Sequence, residues 1–190
     1  MKKALRFAAA GAAAITLGLG SAAWATSSAS ASTGSATTRS AATSIPKCTT
    51  SDLATWVNIP ESQGTAGSSF TPLDFTNISG HECYLWGYPG VSAVAENGNT
   101  EKQLGDAAGR DSVDPAKVVN LPSHATAHAL LRYVDVITTD PGCKAKPATF
   151  LKVYPEAQRT ATYAFFSLPS CTTTGKNWQY LQITTVQPGV

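Results

Sequence analysis

Apolar and polar residues alternate along most of the chain after about residue 47, and this period of two predicts short β-strands. Leu53, Val57 and Ile59, for example, share one face of a run that stops at Pro60. Turn residues, above all Asn97-Gly98, separate successive runs. The predicted strands are 53–59, 68–77, one interrupted strand made of 83–86 and 91–95, then 118–121, 125–137, 149–154, 160–168 and 178–186. About seven to eight strands of this kind predict an all-β fold, an Ig-like antiparallel β-sandwich.

Residues 125–137 form the longest uninterrupted run and carry apolar side chains on both faces. Leu130 and Val134 lie on one face of the predicted strand, and Leu131 lies on the other. A strand that is apolar on both faces is typical of the centre of a sheet. A helix is the rival interpretation for 125–131, but the β-branched residues that follow favour a strand.

The first 25 residues have the pattern of a signal peptide. Lys2, Lys3 and Arg6 form a positive start, and an apolar run follows from residue 7 to residue 19. Ala23-Trp24-Ala25 is a small-x-small cleavage pattern, so we expect cleavage after Ala25. An uncleaved N-terminal anchor is the alternative. We expect no membrane span after cleavage, because no later segment is long and apolar enough.

Residues 26–46 consist almost entirely of Ser, Thr, Ala and Gly, and Arg39 is the only charged residue between 26 and 45. Such a segment buries too little apolar surface to offset the entropy of ordering, so we predict a disordered spacer. A glycosylated stalk has a similar composition, but the absence of proline up to residue 45 favours a flexible linker. Residues 47–190 are then predicted to form one domain.

The charge of the exported chain differs from that of the whole sequence. Three of the fourteen basic residues precede the predicted cleavage point and all twelve acidic residues follow it, so the net charge after cleavage is −1. A chain with this balance has no basic field to attract nucleic acid or anionic lipid, and we expect no nucleic-acid partner.

All four cysteines, Cys48, Cys83, Cys143 and Cys171, lie within the predicted domain. An even number in an exported chain indicates two disulfides, for which three pairings exist. We favour Cys48–Cys83 and Cys143–Cys171, because they tie an early and a late pair of strands without crossing. A four-cysteine zinc site would need paired Cys-x-x-Cys spacings, which are absent.

The segment 75–92 is the densest in special residues. It predicts the end of one strand, an Asn/Ser/Gly turn, and a strand broken by Gly87-Tyr88-Pro89-Gly90. Asn77-Ile78-Ser79 matches the N-glycosylation acceptor pattern. The simpler interpretation is a turn, in which Asn and Ser side chains hydrogen-bond the local backbone.

Several motifs together resemble one family over essentially the whole domain. They are Cys48 to Leu53, Ala66 to Ser68, Leu73 to Ser79, Cys83 to Val91, the Cys143 turn, Leu151 to Pro155 and the Cys171 loop. The chain resembles the DUF4232 family of secreted or membrane-anchored actinobacterial proteins, most specifically between Asn77 and Val91. The resemblance implies export, disulfides and a β-sandwich, and it supplies no catalytic residues because the family has no assigned function.

Candidate catalytic and metal-binding groups are sparse. His124 and His128 would lie about 13 Å apart on a strand, too far to share a metal ion, and His81 lies far from them in sequence. Four carboxylates that could offer oxygens to calcium do not have EF-hand spacing; they are Glu101, Asp106, Asp111 and Asp114. No Gly-x-Ser-x-Gly motif supports a Ser–His–Asp hydrolase. We therefore expect no catalytic residues, no metal and no cofactor.

The aromatic residues are the stronger indication of function. Trp86, Tyr88, Trp178 and Tyr180 are candidate binding residues, and Phe165-Phe166 add to the aromatic count. Exposed aromatics on a rigid β scaffold commonly anchor proteins or sugars, although the same residues also fill cores and pack on disulfides.

The sequence as a whole predicts a secreted, extracellular or cell-wall-associated module that is non-enzymatic and binds or supports another component of the cell envelope. Its partner would be an envelope protein or polysaccharide. The alternative is an extracellular hydrolase or protease-inhibitor-like protein with a site built from loops, notably residues 100–116, which we predict to be irregular.

Overall fold

β-strands dominate residues 44–97, 100–135, 143–172 and 179–189, which are the residues that the computed structural model describes, and no α-helix occurs among them. The predicted signal peptide, residues 26–43 of the predicted spacer and Trp178 lie outside the described residues. The strands are β1 (Leu53–Val57), β2 (Gln63–Thr65), β3 (Ser68–Asn77), β4 (Cys83–Trp86), β5 (Gly90–Asn97), β6 (Thr100–Gln103), β7 (Gly109–Arg110), β8 (Val118–Leu121), β9 (Thr126–Val134), β10 (Ala145–Tyr154), β11 (Thr162–Cys171), β12 (Leu181–Ile183) and β13 (Gln187–Pro188). Short 3₁₀ turns precede and follow β1, at Thr50–Asp52 and Ile59–Glu61.

The larger sheet is built around β3 and β9. Its strand order is β1-β3-β9-β12-β7, with β2 also paired to β3 and β13 to β9. The β3–β9 pair is antiparallel and runs from Ser68 opposite Val134 to Thr76 opposite Thr126. β9 has hydrogen-bonded neighbours on both sides, so the predicted central strand is confirmed and the helical alternative is wrong.

A four-stranded antiparallel sheet with the order β11-β10-β5-β6 faces the larger one. Buried residues of both sheets belong to one core, among them Leu73 and Leu131 from the larger sheet and Leu151 from the smaller. The rings of Tyr133 in β9 and Phe166 in β11 meet edge to face, with centroids 5.5 Å apart. Because the core lies between two sheets, the predicted all-β sandwich is confirmed.

Residues 83–86 and 91–95 do not form the one interrupted strand that the sequence predicts. β4 pairs with β8 in a separate two-stranded sheet, whereas β5 joins the four-stranded sheet. Gly87 between them has a φ of 82°, a conformation that favours glycine, so the chain turns there and passes to another sheet.

Other strand boundaries differ from the predicted ones, because short strands are stabilised by pairing and are too short to show a clear alternation of apolar and polar residues. β2 lies in a segment predicted as a loop, and it pairs with β3 across a turn at Gly67, whose φ is 78°. Residues 100–116 contain β6 and β7 as well as the fully buried Leu104. The predicted last strand, 178–186, is observed as β12, and the chain pairs again only at β13.

Two disulfides join Cys48 to Cys83 and Cys143 to Cys171, the pairing favoured from the sequence. Their Cα atoms lie 4.9 and 5.3 Å apart, within the usual range for disulfides. The first ties the start of the domain to β4, and the second ties the segment before β10 to the end of β11.

In the part of the chain that is described, no helix has the length and apolar character needed to span a membrane.

Asn77 builds the turn between β3 and β4. Its side chain is fully buried and donates from Nδ2 to the backbone oxygens of His81, at 2.9 Å, and Leu121, at 2.8 Å. Its Oδ1 accepts from the backbone nitrogen of Ser79 at 2.9 Å and from the Ser79 hydroxyl at 2.6 Å. The interpretation as a structural turn is thus confirmed, because the Asn77 side chain hydrogen-bonds the local backbone as that interpretation requires.

Candidate binding surface

The outer face of the four-stranded sheet carries a cluster of aromatic rings, of which two are exposed and two are half-buried. Along β10 and β11 the side chains alternate, so Leu151 and Ala164 point into the core while their neighbours point outward. The outward residues include four aromatics, which we call the aromatic face: Phe150, Tyr154, Tyr163 and Phe165. Pairing of β10 with β11 therefore assembles one surface from the outward residues of two strands.

Phe150 and Phe165 lie directly opposite each other on β10 and β11. Their ring centroids are 5.7 Å apart in an edge-to-face arrangement. Phe165 nevertheless remains 70% exposed, and the neighbouring Tyr163 is 48% exposed. Aromatic rings fixed in this way retain apolar area in contact with solvent, which is the form that binding anchors take.

Lys152 lies between two tyrosines of the aromatic face. Its Nζ is 5.8 Å from the ring centroids of both Tyr154 and Tyr163. It also donates a hydrogen bond to the carboxylate of Glu101 on β6. The Lys152–Glu101 bond lowers the pKa of Glu101 and raises the pKa of Lys152. A separate hydrogen bond between Tyr163 and Glu101 raises the pKa of the Tyr163 hydroxyl. All three groups contact solvent, so the pair orients side chains more than it stabilises the fold.

A groove of about 380 Å³ opens beside the aromatic face at the hairpin of β5 and β6. Residues of β5, β6, β10 and β11 line it, including two aromatic rings and two carboxylates, namely Val94, Ala95, Glu96, Thr100, Glu101, Phe150 and Tyr163. Its volume falls within the range of about 300–1,000 Å³ that is common for ligand sites.

The structure describes three of the aromatic residues that the sequence singled out, Trp86, Tyr88 and Tyr180, and does not bring them together on one surface. Tyr180 is 1% exposed, and its hydroxyl donates to the backbone oxygen of Leu104 at 2.6 Å. The prediction that Tyr180 is a binding residue is therefore wrong, because its ring lies in the core and its polar end is engaged by backbone. Burial raises the pKa of this hydroxyl.

Trp86 and Tyr88 have different environments. Trp86 is 43% exposed on β4, beside the exposed Val118 opposite it on β8. Tyr88 is half-buried, with the Arg110 guanidinium 5.4 Å from its ring centroid. Neither belongs to the aromatic face. The adjacent pair Phe165-Phe166 was the sequence signal for the aromatic face, because two successive residues of a strand point to opposite faces and one of them must point outward.

The larger sheet carries a buried acid on its outer side. Asp74 is 5% exposed and lies opposite His128 in the β3–β9 pair. It accepts a hydrogen bond from Nδ2 of Asn58 at 3.1 Å. Burial raises the pKa of this carboxyl, and the Asn58 bond and the proximity of His128 oppose the rise.

The histidines and the predicted loop carboxylates do not assemble a metal site. Among the residues that the structure describes, no group of three or more His, Cys, Asp or Glu side chains is placed to hold a metal ion. His124 precedes β9 in a turn with a φ of 67°, and His128 lies within the strand. Nδ1 of His124 is 3.0 Å from the hydroxyl of Ser123, which also donates to the backbone oxygen of Ser79. That hydroxyl is engaged in structure, as expected for a turn.

Comparison with known protein families gives a match over most of the domain. A protein-family model described as a domain of unknown function, DUF4232, matches residues 48–187. The matched range contains both disulfides, Asn77 and all of the aromatic face. No curated protein matches the sequence.

Proposed function

Since the chain belongs to the DUF4232 family, whose description assigns no function, we propose a function from its surface: a secreted, non-enzymatic binding module of the cell envelope. The module contacts an envelope protein or polysaccharide through the aromatic face. It works as a rigid β scaffold that presents aromatic rings to its partner.

The exposure of Phe165 and Tyr163 is the observation that carries this proposal. Large aromatic side chains are costly to leave in water, and those at the centre of binding surfaces contribute most of the binding energy. Antiparallel pairing of β10 with β11 and with β5 fixes the backbone that carries the rings, so little backbone entropy is lost when they are covered.

Two observations support a location outside the cytoplasm. The first 25 residues have the composition and cleavage pattern of a secretion signal. All four cysteines of the domain are paired, and structural disulfides are typical of oxidising environments outside the cytoplasm.

A sedimentation assay with insoluble envelope material from the producing cells tests the proposal. The exported chain, residues 26–190, is expected to sediment with the envelope, and the double variant Y163S/F165S is expected to remain in solution. W86S is the matched control, because Trp86 has an exposure of 43%, close to that of Tyr163, and lies on β4 outside the aromatic face.

The outcomes of that assay separate the alternatives. Loss of sedimentation in W86S with retention in Y163S/F165S would move the site to the small sheet. Failure of the unsubstituted chain to sediment would contradict the binding function itself. Treatment of the envelope with protease beforehand distinguishes a protein partner from a polysaccharide.

A further inference from the structure

The groove beside the aromatic face has an unusual arrangement of charge. Glu96 on β5 and Glu101 on β6 occupy directly opposite positions in the antiparallel pair, and both are exposed. Like charges placed directly opposite each other on a sheet destabilise it. Two carboxylates in this register therefore favour the presence of cations nearby.

One of the two carboxylates has its cation within the chain. Lys152 donates a hydrogen bond to Glu101, and its ammonium group also lies over the ring of Tyr163. Two ion pairs form in the described part of the chain, and Glu96 takes part in neither of them. The chain thus neutralises one side of the groove and leaves a carboxylate on the other.

The remaining walls of the groove suit a cation that carries apolar or planar groups. Phe150 and Tyr163 contribute ring surface, and the nearly buried Val94 lies at the base. A cation that lies over an aromatic ring and next to a carboxylate gains both a cation–π contact and an ion pair. Lys152 makes this combination of contacts with Glu101 and Tyr163 within the chain itself.

From this charge complementarity we propose that the groove binds a basic side chain, arginine or lysine, of a protein partner. The cation meets the carboxylate of Glu96, and its aliphatic or planar part lies against Phe150. Arginine fits best, because its guanidinium can stack on a ring and pair with a carboxylate at once. This inference rests on the proposed binding function and selects a protein over a polysaccharide as the partner.

A titration followed by nuclear magnetic resonance tests the groove directly. The ¹⁵N-labelled exported chain is titrated with the blocked tripeptide Gly-Arg-Gly and with the same peptide containing citrulline, a neutral analogue of arginine. We expect the arginine peptide to shift amide signals of residues 94–96, 101 and 150, an effect that weakens with added salt. The citrulline peptide is expected to bind much more weakly.

Two variants and one control locate the site. E96Q is expected to weaken binding of the arginine peptide by about two- to fivefold, the range for loss of one exposed ion pair. F150L, which removes the ring but keeps an apolar side chain, is expected to weaken it as well. E82Q makes the same charge change at an exposed site outside the groove and is expected to bind as the unsubstituted chain does.

Equal binding of the two peptides, or equal weakening by E96Q and E82Q, would overturn the inference. So would envelope sedimentation that survives removal of all proteins. If Y163S/F165S abolishes sedimentation while the arginine peptide shows no binding, the groove inference is wrong and the proposed function stands. Specific binding of the arginine peptide with sedimentation independent of the aromatic face would instead contradict the proposed function.

Discussion

Replacement of Asn77 by alanine is expected to be among the most destabilising single changes in the domain. The side chain is fully buried and makes four hydrogen bonds that join the end of β3 to the turn and to the end of β8. Its loss leaves the backbone oxygen of Leu121 without this donor in a buried site. No shorter side chain can span the same partners.

The magnitude follows from the number of bonds. A typical hydrogen bond contributes about 0.5–1.5 kcal/mol net, so the four bonds correspond to a loss of about 2–6 kcal/mol in the free energy of unfolding. A domain of this size has a total stability of about 5–15 kcal/mol, so N77A could remove a large share of it.

Replacement by aspartate refines the test, because Asp has nearly the same shape as Asn but no Nδ2 donors. An ionised carboxylate would face the backbone oxygens of His81 and Leu121, so the folded state would retain a proton that the unfolded state loses above about pH 4. The stability of N77D is therefore expected to fall as the pH rises above about 4, and its difference from the unsubstituted protein to widen.

Urea unfolding followed by tryptophan fluorescence, with both disulfides intact, measures these effects. Asn120→Ala is the control, because Asn120 is exposed on β8, and we expect it to change stability by less than about 0.5 kcal/mol. If N77A lay within about 1 kcal/mol of N120A, the view that the Asn77 hydrogen bonds hold this turn would be refuted.

Three further predictions concern the core, the buried acid and the second disulfide. Y180F should cost about 1–3 kcal/mol at neutral pH by leaving the Leu104 oxygen unpaired, and the cost should shrink above about pH 10. The reason is that burial raises the pKa of Tyr180, so the unsubstituted protein loses stability once the pH exceeds the pKa of tyrosine in the unfolded chain. A difference in stability between the two proteins that stays constant with pH in urea unfolding would contradict this. D74N should be more stable than the unsubstituted protein at neutral pH and equal to it below about pH 4, because burial raises the pKa of Asp74; a less stable D74N at neutral pH would contradict the prediction. C143A/C171A opens a loop with a sequence separation of 28, and chain entropy predicts a loss of about 3–4 kcal/mol in the same assay; a loss below about 1 kcal/mol would not fit it.

The strands with clear alternation could be predicted from the sequence to within a few residues. The predicted strands 68–77 and 118–121 coincide with β3 and β8, and 125–137 contains β9. β2 and β7 could not be predicted, because each has only two or three residues and exists through pairing, β2 with the adjacent β3 and β7 with the distant β12. Propensity over so few residues carries little information.

The candidate site was harder to predict than the fold. Tyr180 and Phe165 are both aromatic residues in β-rich segments, yet one is 1% exposed and the other 70% exposed. Only the register of β10 with β11 and β5 determines that Phe165 and Phe150 lie together on an outer face. Likewise, Glu96 and Glu101 become opposite neighbours only when β5 and β6 pair.

The sequence by itself therefore determined the class of fold, the turn at Asn77 and the favoured cysteine pairs. The class of fold and the turn depend on local periodicity and on turn chemistry, which a short stretch of chain contains in full. The cysteine pairs were favoured because they tie an early and a late pair of strands without crossing. The tertiary structure alone decided that 83–86 and 91–95 separate into different sheets, that Tyr180 is buried, and which aromatics share a surface. Those features depend on which strands pair and in what register, and pairing is set by the packing of the whole core.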